Sequence, residues 1–303
     1  MTWLAVSCAV AAAFFLAFGA QRQSSAVKNN TGGLALGKSG FMRLLRSPRW
    51  VLGLLLLGAG MALNVVALTL GTLTVIQPIG AIALVITTIV NSRDQGIRLN
   101  RATVVAISAC VAGSALFVLL AVSVVRESTH VTTAEELTVV LLLAVVVLII
   151  GSVLVLFKHR VRAFFYILSA GVLFGFVAVL TRIISRQVFD PNGLFLLNVQ
   201  WYSVIAIAVA GGLGSWCVQS AYAGGPPDLV IAGLTVIDPM VGIGIGITIL
   251  GELRPDVPAV TAISMGCAAL LAIVGVVALS RHHPDVVQRR AEAKTDQRKT
   301  AKP

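Results

Sequence analysis

The chain carries 303 residues, of which 57% are hydrophobic and only 12% are Asp, Glu, Lys or Arg, with a formal net charge of +11. A soluble domain is about 25% charged, so this composition excludes a chain wetted over its whole surface and leaves no separate soluble domain. Nor does the positive charge read as a nucleic-acid face: the basic residues occupy short segments between long apolar runs, where they act as orientation signals for membrane insertion.

A helix needs about 20 mainly apolar residues to cross the hydrocarbon layer. Residues 2–21 supply the first span, and because Met1-Thr2-Trp3 lacks a basic signal-peptide start, it is expected to be retained. The run from Trp50 to Ser92 is too long for one span and is expected to fold back at Leu70-Gly71-Thr72. Residues 102–125, 137–157 and 163–181 follow without charge, and 191–227, 229–251 and 257–280 complete the set. The expected fold is all-α, a polytopic membrane protein with nine transmembrane helices. Cys8, Cys110, Cys217 and Cys267 fall inside spans without metal-ligand spacing, so they read as small core residues.

With the N-terminus outside, segments 22–49, 93–101, 158–162 and the tail from Arg281 hold 19 of the 23 Lys and Arg residues, leaving Arg126, Arg182, Arg186 and Arg254 outside. This bias predicts an integral membrane protein, placed in the plasma membrane, with a cytoplasmic C-terminus. The basic residues 282–303 are expected to form a disordered cytoplasmic tail attracted to anionic lipid.

Leu73-Thr74-Val75-Ile76-Gln77-Pro78 recurs as Leu234-Thr235-Val236-Ile237-Asp238-Pro239, offset by 161 residues. The same offset pairs Gly53 with Gly214 and Arg93 with Arg254, and lays the first span over the one beginning at Ala163. Five helices precede that point, so the copies cross in opposite senses. Residues 1–158 read as a first repeat of five helices and 159–281 as a second, inverted repeat of four. Inverted repeats with proline-interrupted helices in matching positions point to a secondary transporter with a midplane site.

Asp238 lies near the middle of its span, where a carboxylate costs several kcal/mol and marks a functional site by default. It can bind and release a proton, or ionise as a cation arrives; the alternative is a protonated carboxyl capping backbone at Pro239. Pro78 and Pro239 lack the N–H that would bond the carbonyls of Thr74 and Thr235, which makes the prolines hinge candidates and the threonines ligand candidates. Gly242, Gly244 and Gly246 suit either a cavity-lining helix or close packing. Asn64 and Gln77 are the polar members of the first repeat, equally consistent with an ion path or interhelical hydrogen bonding. Gln219 is expected at an interface, Arg182 is expected to snorkel to the headgroups, and Trp3, Trp50, Trp201, Tyr202, Trp216 and Tyr222 are expected to form an interfacial belt. The four histidines lie outside the spans, and no nucleophile, phosphate-loop or dinucleotide motif occurs. Neither enzyme activity nor a cofactor is expected, and no metal-ligand set is defined.

The residues resemble the drug/metabolite transporter superfamily (DMT, EamA-like) and, within it, the NIPA-like magnesium transporters. The resemblance covers most of the chain. It is carried by Trp50, Gly53, Asn64 and Ala67 leading to Gln77-Pro78-Ile79-Gly80-Ala81, by Val131-Thr132-Thr133-Ala134-Glu135-Glu136, and by Ile237-Asp238-Pro239 running to Gly251-Glu252. It implies an inverted-repeat bundle of nine helices without ATPase domains, with magnesium as substrate. One position departs: Asn91 stands where related proteins often carry an acidic residue.

The leading expectation is a secondary transporter whose midplane site moves a cation, with magnesium the implied substrate. A proton-coupled exporter of a small organic metabolite or drug and a non-transporting membrane subunit are the alternatives. The partners expected are the lipid bilayer and a small solute or cation, with homo-oligomerisation left open and no nucleic acid.

Overall fold

The structure is a computed structural model, described over residues 2–31, 38–70, 82–95, 100–124, 131–157, 163–188 and 200–282. The described residues form ten helices: α1 (Thr2–Thr31), α2 (Lys38–Leu45), α3 (Pro48–Leu70), α4 (Ile82–Gln95), α5 (Arg101–Val124), α6 (Thr133–Leu156), α7 (Ala163–Val188), α8 (Trp201–Gly224), α9 (Pro227–Thr248) and α10 (Ala259–His282). Seven of them, α1 and α5 to α10, are long and apolar enough to cross a membrane, and α3 contributes a shorter apolar stretch over Pro48–Asn64. The protein is an all-α polytopic membrane protein. Predicted site residues Thr74, Gln77 and Pro78 and the basic tail from 283 lie outside the described residues.

Helix ends depart from the predicted spans in ways local chemistry explains. α1 runs ten residues past the first apolar run, to Thr31, because nothing between Gln21 and Thr31 is Gly or Pro. Hydropathy marks the membrane portion of a helix, not its end. α3 starts with Pro48 in its first turn, where a missing N–H costs nothing. At the start of α6 the Thr132 side chain accepts from the Glu135 backbone N–H at 3.3 Å, while the Glu135 carboxylate accepts from the Thr132 N–H at 2.7 Å. This reciprocal cap satisfies two orphan donors.

α6 buries only a narrow stripe, Glu136, Val139 and Leu143. The rest of its surface is apolar and open, with Leu148 69% and Leu156 75% exposed, and α10 likewise exposes Val260 at 74%. Exposed apolar side chains along such a charge-free helix suit a lipid environment. Trp3 and Trp201 are exposed, as an interfacial belt requires, but Trp50 and Tyr222 are buried and belong to the packing instead.

The chain divides into two compact units. One holds Met1–Leu116, Gln219–Ala232 and Ala268–Pro303; the other holds Phe117–Val218 and Gly233–Cys267. In the first unit, α1 and α3 meet through glycine: a Cβ on Gly53 would stand 2.9 Å from the Gly19 carbonyl oxygen, so the backbones touch. Small residues permitting such approach are the usual glue of membrane helices. In the second unit, α7 and α9 run side by side in the same direction, Gly171 seated on Ile237 and Gly175 on Val241.

Candidate functional site

Asp238 is the twelfth residue of α9, and that helix runs without interruption through Pro239 to Thr248. The expected break at Pro239 is therefore absorbed inside a continuous helix. Among the described residues, the Asp238 carboxylate has neither a hydrogen-bond partner nor a cation within ion-pair distance, and the side chain is half-buried. Every residue from Ile237 to Gly244 has intermediate exposure. A helix packed on one face would instead alternate buried and open positions.

The three glycines of α9 divide by role. A Cβ on Gly244 would meet nothing within 4 Å, and one on Gly242 nothing nearer than 3.9 Å, so packing does not require glycine at either. At Gly246, by contrast, a Cβ would stand 2.6 Å from Oε2 of Glu252. Here the missing side chain makes room for a carboxylate.

That carboxylate closes the end of α9. Gly251 takes a positive φ of 61°, a conformation that suits glycine, and the turn lets the Glu252 N–H donate to the Gly246 carbonyl at 3.0 Å. Glu252 is buried and accepts a fork from Arg182 near the C-terminal end of α7, Nη1 to Oε2 and Nη2 to Oε1, both at 2.8 Å. Arg182 thus pairs with Glu252 rather than reaching for headgroups. Forked arginine–carboxylate pairs combine two charge-assisted bonds with a fixed geometry.

Of the remaining predicted residues, Thr235 lies three positions before Asp238 on α9, on the same side of the helix. Asn64 is half-buried on α3, in the other unit. Asp238 and Thr235 are brought together on α9.

Three polar constellations escaped the sequence reading. Glu136 is buried in the first turn of α6 and accepts from the Ser203 hydroxyl and from Gln187 Nε2, the latter at 2.8 Å. Gln219, expected at an interface, is buried: its Oε1 accepts from Trp50 Nε1 at 3.0 Å and its Nε2 donates to Gln23 Oε1 at 2.9 Å. The third involves Asn91, whose Nδ2 donates to Oδ1 of the fully buried Asp228 at 3.3 Å. Asn91 and Glu252 are separated by the 161-residue repeat offset, as are Gln21 and Arg182. Among the described residues no three His, Cys, Asp or Glu side chains gather as a metal-ligand group.

The sequence profile of the magnesium transporter NIPA family matches residues 2–188, more than half of the chain. The protein belongs to this family. The NIPA-family chain is also 28% identical, over 92% of its own length and 95% of the relative's, to an uncharacterized protein of Corynebacterium glutamicum. No solved structure matches it. The family is one of membrane cation transporters, not of enzymes.

Proposed function

We propose that this NIPA-family protein is a secondary transporter that moves magnesium through a midplane site built around Asp238. The observation that carries the reading is the Asp238 carboxylate, partnerless among the described residues, on a stretch of α9 with intermediate exposure and no steric need for its small residues. Magnesium dehydrates reluctantly and is commonly held by one or two carboxylates with several waters retained. One carboxylate, with hydroxyl and amide oxygens from Thr235, Thr74, Gln77 and Asn64, suits such a partly hydrated ion. A complete protein cage is not needed, so Asn91 in place of an acid is no obstacle.

The transport cycle we propose rests on nine spans arranged as inverted repeats, residues 1–158 and 159–281, with Pro78 and Pro239 as hinges. The pairing of helices supports the repeat, although the two glycine contacts lie about seven residues apart in its register. Gly53 of α3 packs on α1, and its counterpart Gly214 of α8 packs on Leu173 and Phe174 of α7, the counterpart of α1. In this reading the N-terminus is outside the plasma membrane and residues 282–303 are cytoplasmic.

The test is magnesium flux into proteoliposomes holding the purified protein, read with an entrapped magnesium indicator. Saturable uptake above protein-free vesicles is expected. Flux of an organic cation or metabolite without magnesium flux would replace the reading with the exporter, and no flux of either would leave a membrane subunit.

A further inference from the structure

A cavity in the unit that holds α1, α3 and α4 has a volume of about 240 Å³ and is lined by Phe18, Gln21, Arg22 and Ser25 of α1, Arg49 of α3 and Val90 of α4. That is below the roughly 300–1,000 Å³ of pockets for drug-sized ligands. Arg22 and Arg49, on different helices, both line it, and both are solvent-exposed. Among the described residues neither Arg22 nor Arg49 has an ion-pair or hydrogen-bond partner. Paired like charges on one small cavity repel each other, and Arg49 sits in the first turn of α3, where the helix dipole also disfavours a cation. Both costs are removed by an anion between the two side chains.

We propose that this cavity binds the phosphate group of an anionic membrane lipid. Arginine forks match phosphate oxygens in bidentate geometry, the start of α3 adds its positive dipole end, and the Ser25 hydroxyl is a further donor in the wall. The cavity also has an apolar side: Phe18, on the spanning helix α1, is 43% exposed, and Val90 of α4 is half-buried. A free phosphate has no use for that wall, whereas the glycerol and first acyl carbons of a lipid do. Basic pockets between membrane helices are recognised headgroup sites.

Native mass spectrometry of the full-length protein with phosphatidylglycerol and phosphatidylcholine of matched chains tests the assignment. Phosphatidylglycerol is expected to bind selectively, and R22A/R49A to weaken it about thirty-fold, roughly five-fold or more for each arginine near an anionic headgroup. R43A/R46A, which removes basic residues outside the cavity, should leave binding unchanged. Equal phosphatidylglycerol binding in R22A/R49A and wild type, or equal loss in R43A/R46A, overturns the site. Displacement of the lipid from wild type by millimolar inorganic phosphate would support the phosphate chemistry and assign it to free phosphate as well; resistance to phosphate would assign it to the lipid. If R22A/R49A does not fold, Val90→Trp fills the cavity with both arginines in place, and selective phosphatidylglycerol binding that survives it counts equally against the proposal.

Discussion

Arg182 and Glu252 form a two-bonded ion pair that ties the C-terminal end of α7 to the turn after α9, with Gly246 leaving the space in which the carboxylate sits. The two helices that this pair fastens are the ones that meet at Gly175 and Asp238. The ion pair thereby fixes one end of the helix that carries Asp238.

Breaking the pair from one side leaves a buried charge. Arg182→Met removes both of its bonds to the buried Glu252 carboxylate and is expected to destabilise the protein by about 3 kcal/mol. Glu252→Gln, which keeps the shape and lets an amide oxygen accept from Arg182, should cost less. Because Arg182 is partly exposed, the double variant Arg182→Met/Glu252→Leu is expected to recover much of the loss. Thermal unfolding in detergent of the two single variants and the double variant checks this; additive losses would mean that the two side chains do not act as a pair.

Gln219 joins three helices through one amide. Gln219→Leu is close in size but leaves the Trp50 N–H and the Gln23 carbonyl oxygen without their partner, which costs about 1–3 kcal/mol for a buried group. Trp50→Phe removes a single donor and should cost less. Unfolding midpoints rank the variants, and an unchanged midpoint in Gln219→Leu would return this residue to the interface.

How far all this was legible follows from where the signals lie. Charge-free runs announce membrane spans, so the all-α membrane fold could be read directly, and Asp238 stood out because a carboxylate inside such a run is rare. Glu252 and Arg182 gave no such signal: both lie near helix ends, where charge is ordinary, and 70 residues separate them. The Gln23–Gln219 bond spans 196 residues and depends on the Gly19–Gly53 contact that draws α1 against α3. Tertiary proximity of this kind has no periodic trace in the sequence. The extension of α1 to Thr31 was missed because polar residues continue a helix as readily as apolar ones once it is nucleated.

Gly175 is one of two glycines through which α7 meets the Asp238 segment. A Cβ there would fall 2.7 Å from Val241 Cβ and 3.0 Å from the Asp238 carbonyl oxygen. Gly175→Ala must therefore push the two helices apart, an overpacking cost of about 1–3 kcal/mol. Magnesium flux is expected to fall with expression retained. Gly244→Ala, where open space awaits the methyl group, serves as the control and should transport as wild type.

Orientation can be tested without the substrate. Single cysteines introduced at Glu135 and His282 in a background with the four native cysteines removed should label from opposite sides, Glu135 from outside and His282 only after permeabilisation, since 19 of 23 basic residues then face the cytoplasm. Labelling of both from outside would remove the nine-span arrangement.

Asp238 carries the transport proposal, and its substitutions separate charge from shape. Asp238→Asn keeps the size and the capacity to hydrogen-bond but removes the negative charge, so magnesium flux should be abolished while folding and expression hold. Gln77→Ala, at the repeat counterpart, removes one neutral oxygen and is expected to weaken transport without ending it. Asp238→Glu keeps the charge but moves it outward by a methylene, about 1 Å, enough to disturb the strict octahedral preference of magnesium; a partial loss is expected, felt more by magnesium than by larger divalent ions. If the carboxyl instead serves only to cap backbone beside Pro239, an amide does that equally well and Asp238→Asn transports like wild type. Flux in reconstituted vesicles, measured for the three variants beside a thermal melt of each, decides between a charge that binds the ion and a cap that merely holds the helix.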